Sequence, residues 1–437
     1  MLRDTYISQV STEPGKEYTI GGWVSRLKEL KNARFIWVSD KTGTIQISLV
    51  KDKVDASLFE MFDNLNLHDF VVVKGKVPEQ IMAKNFKELI PTKITVVGKA
   101  EKPLPIDMSG LVESELETRL DWRSIALRNK NLMFVLKAES SLIEGMENYL
   151  NKHDFTIVFT PSIIGVAAEG GSEVFPIVYY DKTTYLRQDP QLHRQLLMVA
   201  GLDKIYEIGP SWRAELSHTP RHLSEHRTCA AEISFIEDEH DVMKLEEELV
   251  QAALKNVVDR HKDELDELGI EVTVPKTPFP ELKFPEIYDL LEELGKKLEH
   301  GEDLDHESEL LLAKYVKEKY NSEFFFVNRF PYKVKPFYVM RVDDEPEYAR
   351  SIDLIYKGVE LSSGGQREHR YEKIIEQAKE KGLSEGSYMW FAKFFKYGAP
   401  PHGGFSIGIE RTVMQMLNMQ NILEAAAFPR TPERTVP

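Results

Sequence analysis

Apolar and polar positions alternate with a period of two in five short runs between residues 17 and 99: EYTIGGWVSRL, RFIWVSDKT, TIQISLV, FVVVKGKV and KITVVGK. Such alternation predicts strands that bury one face. Between the third and fourth runs, VDASLFEMFDNL reads as a helix. Pro103 and Pro105 then disfavour helix and mark a linker. From Asn131 to Asn151 the apolar residues Leu132, Phe134, Val135, Leu142, Ile143, Met146 and Leu150 recur at helical spacing, and FTIVFTPSII follows as a strand ending at Pro161. Two strand-like runs between Tyr206 and Ile236 are joined by a loop rich in Arg, His and Pro. Residues 243–330 hold two or three helices and read as an inserted or peripheral segment; FFFVNRFPYKVKPFYVMR then returns to a sheet.

Five strands with one helix between the third and fourth fit an OB-fold β-barrel. Barrels of this type bind single strands by stacking bases on exposed aromatics beside cations. Trp23 and Trp37 are expected to fill the barrel core.

Composition adds three points. A chain of 437 residues is long enough for two or three domains, and 42% hydrophobic with 29% charged residues places it among globular proteins. The net charge of −15 is uneven: residues 1–100 carry fifteen Lys and Arg against twelve Asp and Glu, the remainder 41 against 59. The small N-terminal domain is therefore the part suited to RNA. The single Cys229 excludes an internal disulfide and a cysteine-only metal site, and reads as a buried small residue. No apolar run is long enough for a membrane helix and the N-terminus lacks a signal core, so a cytoplasmic protein with no membrane partner is expected.

The chemistry gathers in five stretches. In Trp212-Arg213-Ala214-Glu215 a cation and a carboxylate lie two residues apart, which in a strand aims both at one face. Arg221 and His222 follow, giving several cations where a nucleotide triphosphate needs neutralising. HGGFSIGIERTVMQM, from His402, reads as a Gly-rich strand that lets a ligand approach the backbone, then a helix whose first turns carry Glu410 and Arg411. Asp353 and Glu360 flank a Lys357-Gly358 turn, so a hairpin brings them together; two carboxylates facing phosphates suit Mg²⁺, the alternative being a structural Asp353 paired with Lys357. Finally, AAEGGSEVFPI reads as a mobile loop carrying Glu169, and TYLRQDPQLHR sets Gln188, Asp189, Gln191 and Arg194 between a strand and a helix.

The R-A-E hairpin, followed about two hundred residues later by G-G-F-x-x-G-x-E-R, resembles motifs two and three of class II aminoacyl-tRNA synthetases. The match extends over nearly the whole chain and is most similar to archaeal-type aspartyl enzymes, with asparaginyl enzymes next. The resemblance implies an α+β architecture: an OB-fold anticodon-binding domain at 1–101, a hinge at 102–130, and a catalytic domain at 131–437 whose antiparallel sheet is flanked by helices, with a helical insertion at about 243–330. It implies ATP and Mg²⁺ as cofactors, tRNA and aspartate or a related amino acid as partners, and no DNA. The helix from Asn131 with its strand looks like motif one, which implies a homodimer.

Residue by residue, the resemblance assigns Arg213, Glu215 and Arg411 to catalysis. Arg221, His222, Leu223, His226, Glu360 and Gly408 join them around ATP, with His226 where the family usually stacks an aromatic ring on adenine. Asp353, Glu360 and Ser363 hold the metal. Glu169, Asp189, Gln191, Arg194, Ser363 and Arg367 form the amino-acid site. Phe35 and Gln46, with Arg26, Lys28 and Lys31 alongside, contact tRNA, Phe35 as a stacking platform.

Three pocket positions depart from the aspartyl pattern: Asp189 replaces Ser, Arg194 replaces Lys, and Ala230 replaces an Asp. Losing that Asp removes a counter-charge of the residue-194 cation. Aspartate–tRNA ligation, for tRNA-Asp and tRNA-Asn or one of them, is the leading expectation. Beside it stand a paralogue of altered amino-acid specificity, a tRNA-independent asparagine synthetase-like ligase, and a non-catalytic tRNA-binding module.

Overall fold

The five alternating runs become β1 (Glu17–Leu30), β2 (Ala33–Asp40), β3 (Gly43–Val50), β4 (Phe70–Lys76) and β5 (Lys87–Gly98), closed into a barrel in the order β1-β2-β3-β5-β4. The helix between the third and fourth is α1 (Ala56–Met61), capped by the Asp55 carboxylate, which accepts from the Ser57 backbone N–H. The coordinates are a computed structural model describing residues 1–83, 87–108, 114–165, 173–215 and 219–437. Ile36, Val38, Ile45, Ile47 and Leu49 fill the barrel interior. Strand parity then sends Phe35, Trp37, Gln46 and Ser48 to the outer face. Trp37 is buried as expected, 8% exposed, but on the outer side of the barrel wall, where the Arg26 guanidinium lies 4.8 Å from its ring centroid. Trp23, beside the buried Val24, likewise packs outside, edge-on to Phe70.

The chain divides into two compact units, Met1–Thr118 and Arg119–Pro437. In the second, α2 (Leu116–Asp121, begun at the boundary), α3 (Arg123–Ala126) and α4 (Lys130–Lys152) lead into two short strands, β6 (Thr156–Ile157) and β7 (Ile163–Ile164), where the sequence suggested one. The hairpin β8 (Pro176–Tyr179) and β9 (Lys182–Leu186) joins β7 in a small sheet, and α5 (Gln191–Val199) follows. The Arg- and His-rich hairpin is β10 (Lys204–Trp212) and β11 (Glu225–Ser234). After α6 (Glu239–Leu268) come β12 (Glu281–Lys283), α7 (Glu286–Glu293), α8 (His306–Tyr320) and β13 (Phe324–Asn328). The remainder is β14 (Arg341–Val342), β15 (Glu345–Ala349), β16 (Ser351–Tyr356), β17 (Val359–Arg367), α9 (Tyr371–Glu380), α10 (Glu385–Ala392), β18 (His402–Gly408) and α11 (Ile409–Met416).

Eight strands form the central sheet in the order β12-β13-β16-β17-β18-β11-β10-β6, antiparallel except at the β12–β13 and β10–β6 edges. Period-two alternation divides its faces. Tyr206, Cys229, Ala231, Phe324, Phe326, Ile352, Leu354, Leu361, Phe405 and Ile407 point to one side, where α4, α6 and α11 cover them. Gly145 lets α4 and α6 approach closely, since a Cβ there would lie 2.8 Å from the Ala253 Cα. Helix α6 was expected to be peripheral; with Val242, Leu249, Val250 and Val257 buried it is part of the main core. Helices α7 and α8 pack on the other face through Leu291, Leu312 and Val316 against Phe325, Val327 and Ile355.

Candidate active site

The residues of opposite parity on β10, β11, β16, β17 and β18 are mostly polar or glycine, and they floor a cavity of about 740 Å³. Arg213, Glu215, Arg221, His222, Leu223, His226, Asp353, Glu360, Ser363, Gly408 and Arg411 line it, together with Asp189, Gln191 and Arg367. Segments separated by over two hundred residues thus meet in one place. Arg194 does not line the cavity; it is 1% exposed, behind the wall. Glu169 lies outside the described residues.

One end is cationic. The Arg213 guanidinium is 3.5 Å from Glu215, which is also 3.5 Å from His222 Nε2. Arg411 donates to the Glu360 carbonyl at 2.7 Å and lies 3.6 Å from its carboxylate. His226 is pushed down to about 4 by burial and by Arg213 and Arg411, so it presents a neutral ring at pH 7. Glu410, also on the cavity wall, accepts from the Arg227 backbone N–H and guanidinium, both at 2.9 Å, which ties α11 to β11.

Asp353 and Ser363 are cross-strand partners in the β16–β17 hairpin, with Glu360 opposite Ile355 beyond a bulge. Asp353 bonds Lys335 at 3.1 Å, not the Lys357 considered from sequence; Lys357 turns to Asn418. Burial lifts the Asp353 carboxyl to about 6.

The other end is a buried ion network. Asp189 accepts from Arg194 at 2.6 Å; Arg194 also donates to Gln191 Oε1 at 3.0 Å and lies 3.9 Å from Glu207. Arg367 donates to Glu232 and to Gln191 Oε1, both at 3.1 Å, and to the Gly404 carbonyl at 2.8 Å. Gln191 Nε2 completes the circuit to Glu232 at 3.0 Å, and Arg187 pairs with Glu207 at 2.7 Å. Burial works against the Asp189 charge, but Arg194, Arg367 and Arg213 hold its carboxyl below the usual range. The counter-charge expected to be lost at Ala230 is therefore supplied by Asp189, with Glu207 nearby. Gly404 is required here, because a Cβ would strike the Ala231 carbonyl and the Glu232 carboxylate.

Sequence reasoning missed Arg187, Glu207, Glu232, Lys335 and Glu309. Glu232 was within reach: it shares parity with His226 and Thr228 and is the one charged residue in the second half of its strand, CAAEIS. Glu309, on α8, carried no local signal. It is lifted to about 8 by burial and by Glu360.

In the barrel unit, Gln46 is 7% exposed and its amide bonds Ser48 at 3.0 Å and Glu88 at 3.4 Å. Phe35 is half-buried, 6.2 Å from Trp37, and pairs with Lys28 across β1–β2. Arg26, Phe35, Trp37 and Gln46 thus share one outer face.

Comparison with known proteins accords with both units. Residues 18–97 match the OB-fold nucleic acid binding domain, and residues 115–432 match tRNA synthetases class II (D, K and N). The Aspartate–tRNA(Asp) ligase of Pyrococcus abyssi is 44% identical over the full length of both chains, and the Aspartate–tRNA(Asp/Asn) ligase of Aeropyrum pernix is 38% identical, again over both whole chains. The crystal structure of asparaginyl-tRNA synthetase from Pyrococcus horikoshii complexed with asparaginyl-adenylate superposes with a TM-score of 0.94 at 31% identity, covering 100% of each chain. Among the described residues no helix is long and apolar enough to cross a membrane. From its barrel to its last helix, the chain belongs to the class II tRNA synthetases of the D, K and N group.

Proposed function

We propose that this protein activates aspartate with ATP and transfers it to tRNA. The observation that carries the reading is the cavity itself, with three arginines and a neutral His226 at one end and the Arg367–Gln191–Glu232 circuit at the other. The full-length relatives named as aspartate–tRNA ligases support it.

In the first step the substrate carboxylate attacks the α-phosphorus, and the bond to the departing pyrophosphate breaks. Little covalent chemistry is asked of the protein; positioning and charge neutralisation suffice. Arg213 neutralises the α-phosphate, while Arg221, His222 and Arg411 take the outer phosphates. Glu215 anchors the adenine or acceptor end, His226 stacks on adenine beside Leu223, and Gly408 allows close backbone approach. In the second step a hydroxyl of the tRNA 3′-end attacks the acyl carbon and AMP leaves. Mg²⁺ fits the wall formed by Asp353, Glu360 and Ser363: Asp353 Oδ1 is buried without a hydrogen-bond partner. Bound there, the ion would neutralise phosphate charge. Gln191 and Arg367 hold the amino acid, and Arg194 acts from behind them.

The tRNA anticodon is assigned to the outer barrel face of Arg26, Lys28, Phe35 and Gln46. Exposed Ile157, Phe159 and Ile163, just after α4, support a homodimer through that edge. The lone buried thiol suits a reducing cytoplasm. One observation favours asparagine as a second amino acid: the arginines of the buried network, Arg187, Arg194 and Arg367, of which Arg367 lines the cavity, each have a carboxylate partner already. ATP–pyrophosphate exchange with aspartate and asparagine, followed by parallel charging of tRNA-Asp and tRNA-Asn, tests the reading. Failure of exchange with every amino acid would sink it.

A further inference from the structure

We propose that His306, on α8, is a positioning residue of the nucleotide site: it holds the Arg221 guanidinium over the phosphate end of the cavity. The proposal rests on the synthetase reading above and extends it to the segment between the Arg- and His-rich hairpin and the β18–α11 motif. Arg221 leaves a stretch without regular structure after Thr219 and Pro220, so its long side chain needs an external support. That support comes from α8. Arg221 donates to His306 Nδ1 at 2.6 Å and lies 4.0 Å from Glu309, which is itself 3.6 Å from His306.

The helix is a firm base. Asp305 caps it by accepting from the Ser308 backbone N–H at 2.9 Å and is gripped by Lys296 at 2.7 Å. Leu312 and Val316 are buried against Phe325 and Val327 of β13 and Ile355 of β16. Because β16 also carries Asp353, α8 sets Arg221 at a fixed place relative to the carboxylate wall. Accepting from a guanidinium requires a lone pair on Nδ1, hence a neutral ring with its proton on Nε2. Burial and Arg221 both lower the His306 pKa, which favours that form.

Calorimetric titration with ATP and Mg²⁺, with no amino acid present, tests the proposal on the unaltered protein, His306→Ala, His306→Asn, Arg221→Ala and the double variant. Loss of one charge-assisted hydrogen bond should weaken ATP binding about tenfold in His306→Ala. His306→Asn, whose Oδ1 can stand where Nδ1 was, should retain binding within about threefold. In the Arg221→Ala background, His306→Ala should add under about twofold, because its partner is gone. A residue that merely supported the fold would subtract the same amount in both backgrounds. Equal effects in the two backgrounds, or ATP binding untouched by His306→Ala, would overturn the proposal. If all five proteins fail alike to bind ATP, the synthetase reading falls and takes this inference with it.

Discussion

The Asp189 carboxylate sits 2.6 Å from the Arg194 guanidinium, and Gln191 joins that pair to Arg367. The acidic partner of the buried cation stands before α5, while Ala230, on the neighbouring strand, faces the same region between Glu207 across β10 and Glu232 two residues on. Asp189→Ser should cost roughly 3 kcal/mol of stability, since it strands a buried charge. It should also raise the KM for the amino acid at least about tenfold by loosening Gln191. Adding Ala230→Asp should recover part of both. Urea unfolding and exchange kinetics on the single and double variants measure this; an unaltered Asp189→Ser enzyme would refute the coupling.

Of Arg187, Arg194 and Arg367, it is Arg367 that lines the cavity. Arg367→Leu should lower kcat/KM for aspartate on the order of a hundredfold and leave ATP affinity near its starting value. Should ATP affinity collapse instead, Arg367 belongs to the phosphate end.

Glu246 of α6 is fully buried, accepts from the Ser362 hydroxyl, and is pushed up to about 8 by desolvation. The folded state then holds this proton more tightly than the unfolded chain, so stability falls as pH rises from about 4.5 to 8. Glu246→Gln, neutral and of the same shape, should be stabilised relative to the parent by on the order of 2 kcal/mol at pH 9 and show little difference at pH 4. Thermal unfolding across that range decides it; parallel curves would disprove the assignment.

On the barrel, Phe35→Ala should weaken tRNA binding by about 1–3 kcal/mol, the worth of one stacked base. Trp37→Ala should weaken it less and indirectly, because the buried Trp37 ring backs Phe35 at 6.2 Å. Filter binding at fixed salt reads both; loss confined to barrel stability would return Trp37 to a structural role.

The alternation of short runs made the barrel legible, and the spacing of Leu132 through Leu150 gave α4 to within a residue at each end. The signature hairpins supplied the cavity-lining residues because their chemistry is local in sequence. The rest depends on parity and long-range packing. Trp37 is buried as its aromatic character suggests, yet the inward Ile36 and Val38 on either side fix the face on which it is buried. Lys335 and Glu309 reach the cavity from segments whose sequences carry no cue to it, so only the fold reveals them. Arg194 was legible as a pocket cation, but that it acts from behind Gln191 was not.

The two-faced central sheet carries a further consequence for evolvability. The side toward α4, α6 and α11 supplies stability through apolar burial, whereas the buried ion pairs on the other side hold charges that desolvation disfavours. Exchanging Asp189, Gln191, Arg194, Glu232 and Arg367 together for apolar residues of similar volume would therefore give a protein more resistant to heat and unable to recognise its amino acid. Drift in substrate preference can proceed by rearranging charges on one parity of the strands while the opposite parity keeps the sheet intact.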